Sequence, residues 1–193
     1  MRKLLIGFVV LGLAGCAMKN AKYDKAFVDI DSLVNQQVAS LVAANASLEK
    51  KAALGKDESV ASFTPDSTGW SHELELFRQL DAINKPSFRE GYNVEVKRDT
   101  QSNLQVLALT SREPNRIPSI NFYFFGARNN LKKVDARLEE VNPLFANSRL
   151  LQMTFDDEFG KPVITGYTIR GFQKMILGDT VRFSIESRVQ RVH

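Results

Sequence analysis

The hydrophobic period of this chain changes at Gly91, and that change constrains its fold more than any other feature. From Tyr92 onward apolar residues recur at every second position: Tyr92, Val94 and Val96 alternate with Asn93, Glu95 and Lys97. Successive side chains of a strand point to opposite faces, so this spacing predicts strands. Further runs follow at residues 104–109, 119–125, 131–141, 150–156, 162–177 and 180–190. The breaks between them carry Gly, Pro, Asn and Asp, the residues of tight turns. Short connections favour an antiparallel meander over βαβ units. The run at 131–141 also fits helical spacing through Leu131, Val134 and Leu138; strand is the reading taken. Gly178-Asp179 reads as a two-residue hairpin turn, and Gly166 and Gly171 inside a long run suggest a bulge or bend.

Before Gly91 the spacing is helical. Phe27, Ile30, Val34, Val38, Leu41, Leu48 and Ala52 recur mostly at threes and fours, and six Ala residues add helix preference. The expectation is a helix over about 24–54, with Asp31 or Ser32 capping a second start and Gly55 as the stop. Residues 56–69 read as a loop with at most one short strand. A second helix is expected over about 68–83, capped by Ser67 or Thr68, with Trp70, Leu74, Phe77 and Leu80 on one face and Pro86 ending it. The fold class expected is α+β: two N-terminal helices on about seven antiparallel strands over about 92–190, curled or forming an open barrel. Residues 24–193 would make one domain.

The N-terminus supplies the strongest motif. Arg2 and Lys3 precede about ten apolar residues, 4–13, which as a helix rise only about 15 Å, half of a bilayer core. This is the pattern of a secretory signal, and it closes on Leu13-Ala14-Gly15-Cys16. That tetrapeptide resembles the bacterial lipoprotein lipobox. The resemblance covers residues 1–17. It implies that 1–15 is a signal peptide, that the Cys16 thiol takes a diacylglyceryl group, and that 16–23 is a lipidated tether. Ala17, where Asp would imply retention in the inner membrane, favours the outer membrane. Seven residues reach at most about 25 Å, so the body would sit close to the bilayer. Cys16 is the chain's one Cys, so no intramolecular disulfide is available and stability must rest on the core. The helices-on-a-curled-sheet layout also loosely resembles that of the Lol-type periplasmic lipoprotein carriers, with no shared motif in residues 18–193.

The remaining motifs argue against several chemistries. The chain carries 26 Lys and Arg against 22 Asp and Glu, and two of the basic residues lie in the signal segment. The body is thus near neutral, with no basic run interleaved with aromatics, and nucleic acid is not an expected partner. His72 begins a segment in which a zinc-protease helix would need His at Leu76, and His193 is the last residue. Phe172 and Gln173 stand where a phosphate loop after Gly166–Gly171 needs Lys and Ser or Thr. Leu33 breaks a calcium-loop reading that starts at Asp29 and Asp31. The acids 156–158 read as a solvated hairpin tip. No metal, cofactor or catalytic residue is expected, and the chain reads as a non-enzyme.

What stands out is the strand 119–125. Ile120, Phe122 and Phe124 take one face, Asn121, Tyr123 and Phe125 the other. Two aromatics on the second face imply that it too is partly dry. The expectation is that Tyr123 and Phe125 line a groove for an apolar ligand or lipid, with Tyr167 and Phe172 as neighbours. Two functions compete: a lipid-anchored, non-catalytic binding module, and a structural or accessory subunit docking onto an envelope complex.

Overall fold

The computed structural model describes residues 24–175 and 178–191; Cys16, the signal segment and His193 lie outside them. The elements run α1 (Ile30–Ala43), β1 (Ser47–Leu54), β2 (Asp57–Phe63), α2 (Ser67–Arg78), a 3-10 helix (Gln79–Asn84), α3 (Pro86–Arg89), then β3 (Tyr92–Arg98), β4 (Gln105–Ser111), β5 (Ser119–Phe124), β6 (Leu131–Val141), β7 (Phe145–Glu158), β8 (Lys161–Met175) and β9 (Thr180–Gln190). All strand pairs are antiparallel, in the order β2-β1-β9-β8-β7-β6-β5-β4-β3. The sheet does not close into a barrel: β2 and β3 are its two edges.

Seven strands lie where the period-two pattern puts them, and residues 131–141 are strand. The other two strands correct the expectation of a helix to residue 54. The helix stops at Ala43 because Asn45 adopts φ +44, Asn45 N–H donates to Val42 O, and Ala46 N–H donates to Leu41 O. That is a Schellman cap with Asn in the left-handed position, and buried Ala46 packs with the buried Leu41 turn. Gly55 does not end a helix. With φ +62 it turns β1 into β2, Leu54 facing Asp57 across two residues. The loop expected at 56–69 is therefore mostly the edge strand β2. The helix starts differ from expectation: α1 begins at Ile30 and not near residue 24, capped by Asp29 through Ser32 N–H and not by Asp31 or Ser32, and α2 is capped by Asp66 through Gly69 N–H and not by Ser67 or Thr68. Pro86 opens the short α3, at the position where a missing N–H costs nothing. The β8–β9 connection is longer than a two-residue turn, since pairing ends at Lys174 and Thr180.

The bulge expected near Gly166 is at Thr165: Thr154 pairs with Gly166 but Phe155 with Ile164. β9 pairs with β8 only from Gly166 onward, and α1 takes up two backbone groups of β8 beyond that point. Gln37, buried at 3% exposure, donates to Pro162 O (2.9 Å) and accepts from Ile164 N–H (2.8 Å). A side-chain amide thus stands in for a missing strand partner. Gly171 is required for a different reason: a Cβ there would sit 2.4 Å from Ser148 O.

Both helices pack on one face. Ile30, Val34 and Leu41 of α1, and Trp70, Leu74 and Phe77 of α2, meet Leu109, Ile120, Phe122, Val134, Leu151 and Ile169 of the sheet. Each fully buried side chain of this size contributes about 1.5–3 kcal/mol. Among the described residues every core side chain and every element lies after residue 24, so a chain beginning at Ala17 retains all of them.

Candidate functional site

The strand register divides the residues expected to line one groove. Tyr123 points away from the helices, half-buried beside Val106, its partner on β4. Lys133, its partner on β6, lays its ammonium 3.9 Å from the Tyr123 ring centroid and bridges to Asp135 at 2.9 Å. Phe125 lies just beyond the end of β5 and is 48% exposed. Phe172 shares Tyr123's face but sits in the row of Ser148, whereas Tyr123 and Lys133 sit in the row of Thr154. Six residues of β7 separate them, roughly 20 Å. Tyr167 is on the opposite face, in the core, edge-on to Phe77 with ring centroids 5.5 Å apart. The structure does not bring the four together.

Tyr167 belongs to a buried polar cluster. Its hydroxyl donates to Glu73 of α2, and Lys50 of β1 approaches the same carboxylate at 2.8 Å. Burial, with the Glu73 carboxylate, pushes the Tyr167 phenol well above its ordinary range. Tyr92, whose hydroxyl donates to Ile117 O, and Tyr123 are also raised, chiefly by burial. The sign follows. The unfolded chain releases these phenolic protons near pH 10 and the folded chain holds them, so stability is unaffected below that pH and falls above it. Urea midpoints are expected to fall between about pH 9 and 11, and Tyr167→Phe to flatten that fall. Equal midpoints for the native chain across that range would contradict it.

The helix-free face is wet. Lys51–Glu58, Lys97–Glu95, Lys133–Asp135, Arg137–Glu139 and Arg170–Glu186 form five ion pairs across it. A depression of about 410 Å³ in its middle is lined by Asn121, Asp135, Arg137, Gln152, Thr168 and Arg170, with Leu150 its exposed apolar residue. Nothing here is built for an apolar chain.

The apolar cleft lies elsewhere. Phe27 and Val28, just before α1, cross over Val94, Leu107 and Phe124, leaving about 410 Å³ with Arg128 at the rim. The segment is fixed there by a clasp on the 3-10 helix. Asp81, 8% exposed, accepts from Ile30 N–H (3.2 Å) and the Asn84 amide (3.1 Å) and pairs with Lys25. Asn84, fully buried, accepts from Phe27 N–H (2.9 Å) and donates to Val28 O (3.0 Å). Burial works against the Lys25 charge, but the Asp81 and Asp29 carboxylates outweigh it and hold the ammonium above its ordinary value. No family model, no curated protein and no solved structure matches this chain.

Sequence reading missed Asp81, Asn84 and Gln37. The available signal was polar residues at positions that the helical period assigns to the core: Gln37, Asp81 and Asn84 each fall four residues after a buried residue, Leu33, Phe77 and Leu80. His72 is exposed on α2, and Asp156 and Asp157 are exposed at the β7–β8 turn. Among the described residues no three His, Cys, Asp or Glu side chains are placed to hold a metal ion, and no helix is long and apolar enough to cross a membrane.

The two ends of the sheet differ. The register puts the β1–β2, β6–β7 and β8–β9 turns at one end. Leu54, Val141, Leu144, Met175 and Val181, each between 44% and 76% exposed, gather there. The cleft and the clasped segment are at the other end, beside the β3–β4 and β5–β6 turns.

Proposed function

We propose that this chain is a lipid-anchored lipoprotein of the bacterial cell envelope, held through Cys16, that acts without catalysis as an accessory subunit docking onto an envelope protein. The observation that carries the docking part is the cluster of Leu54, Val141, Leu144, Met175 and Val181 on three adjacent hairpin tips. Exposed apolar side chains scattered singly are ordinary, but five on neighbouring hairpin tips at one end of the sheet support an interaction surface. It lies at the end away from the segment that follows the tether, so an anchored body would present it to the periplasm. The lipobox and the short tether support the anchor, and Ala17 favours the outer membrane. The apolar-ligand reading has less behind it, because the Tyr123 face is ion-paired and Lys133 already covers the Tyr123 ring.

The anchor is tested by labelling cells with palmitate, with and without globomycin. Label on the native chain is expected, and none on Cys16→Ala; an unlabelled native chain removes the lipoprotein reading. Docking is tested by placing a photo-crosslinking residue at Leu144 or Met175. One defined crosslinked product from both positions is expected, and its loss when Val141 and Leu54 are changed to Ser. No product from either position, or one that persists in that variant, removes the docking reading.

A further inference from the structure

The corner of the sheet where the chain enters combines three features. The cleft under Phe27 and Val28 is apolar. Around it Val94 (52%), Val96 (62%) and Phe125 (48%) are exposed. Arg98 at the end of β3, Arg128 in the β5–β6 turn and Lys132 at the start of β6 have no ion-pair partner among the described residues. Cations with apolar side chains between them suit a surface that is anionic outside and apolar just beneath.

We propose that this corner lies on an anionic phospholipid bilayer, with Arg98, Arg128 and Lys132 among the headgroup phosphates and Phe125, Val94 and Val96 at the level of the first methylenes. The inference rests on the lipid anchor at Cys16. Two observations select a membrane as the occupant over another protein. The first is reach: seven residues separate Cys16 from Asp24, so the two Cα atoms are at most about 28 Å apart, and the Asp81–Asn84 clasp fixes the next segment against this corner. An anchored body therefore has this corner nearest the bilayer. The second is charge. Lys19 and Lys22 of the tether add to the cations. At the same end of the sheet the β7–β8 turn carries exposed Asp156 and Asp157 against one cation, Lys161, whereas the corner carries Arg98, Arg128 and Lys132 against one acid, Asp99, so an anionic surface favours the corner. The body is thus tilted, with β3–β6 against the lipid and β7–β8 raised. Arginine suits the contact because its guanidinium spans two phosphate oxygens.

The test uses the chain from Ala17, which carries no lipid, and sedimentation with vesicles. Binding to mixed phosphatidylcholine–phosphatidylglycerol vesicles is expected, with little binding to phosphatidylcholine alone. About 1 M salt should remove most of it, since the screening length falls to about 3 Å. Arg98→Glu with Arg128→Glu should weaken binding about ten-fold or more, and Phe125→Ser with Val96→Ser should weaken it too, with circular dichroism confirming that each variant is folded. Val60→Ser, an exposed apolar change on the far edge strand, should leave binding unchanged. Equal binding to both vesicle types, no binding to either, or indifference to the charge reversal overturns the proposal. Mass spectrometry of Cys16 from cells reads the anchor separately. Lipidated Cys16 without vesicle binding sinks this surface alone, and vesicle binding with unlipidated Cys16 sinks the anchor alone.

Discussion

Phe122→Ala is expected to cost about 3–5 kcal/mol of folding stability, while Tyr123→Ser and Phe125→Ser together cost less than about 2 kcal/mol. Phe122 is fully buried where β5 meets the helices, so truncation leaves a cavity that the surrounding Leu, Ile and Trp side chains fill only in part. Its neighbours on the strand point the other way. Phe125 keeps 48% of its surface exposed, and Tyr123 is half-buried with the Lys133 ammonium over its ring. A loss of 3–5 kcal/mol consumes much of the roughly 5–15 kcal/mol that a domain possesses. Urea denaturation of the single and double variants measures both. If the Tyr123 and Phe125 pair costs as much as Phe122, the helix-free face is a second core, and the reading of that face as wet fails.

The same strand illustrates how far the sequence could be read. Alternation along 119–125 assigned Ile120, Phe122 and Phe124 to the core correctly, because a side-chain period of two admits no other partition once the run is a strand. The inference that the other face is partly dry holds. Val106 and Ala108, though pointing away from the helices, are buried at 3% and 5% exposure. Tyr123 helps to close that small patch, but Lys133 provides its outer cover, and nothing in a linear pattern announces that a lysine lies over an aromatic on the neighbouring strand.

Residues 47–54 failed for a related reason. Their inward positions are Leu48, Lys50 and Ala52. Lys50 is there because Glu73 of α2 receives it, so the one position that should have shown the strand period is polar. With Ala52 and Ala53 at its end the run also satisfies a helical template, and only Asn45 marked the boundary. The candidate surfaces were even less legible. The hairpin-tip cluster and the cationic corner each draw residues from three or more elements, and their assembly depends on strand order, which sequence patterning alone does not supply.

Asp81→Ala is expected to cost about 2–4 kcal/mol, more than most polar substitutions, because it leaves several donors without an acceptor at once. Ile30 N–H is one of the first-turn donors of α1 that no helix carbonyl can satisfy, and the carboxylate also complements the positive end of the helix dipole. The Asn84 amide and the Lys25 ammonium lose the same partner. Asp81→Asn retains an acceptor without the charge and should recover about half the loss. A purely local reading of the clasp predicts more than a lower midpoint. Under native conditions trypsin should cut after Lys25 in Asp81→Ala but not in the unaltered chain, since Lys25 is held in a salt bridge and Phe27 N–H in a hydrogen bond to Asn84. An Asp81→Ala protein as stable as the native chain, and as resistant at Lys25, would mean that the clasp holds nothing. If the cut appears, releasing residues 25–29 adds roughly 17 Å of chain between anchor and body. If Cys16 is anchored as proposed, the clasp removes that slack and favours the proposed corner of the sheet as the side turned towards the membrane.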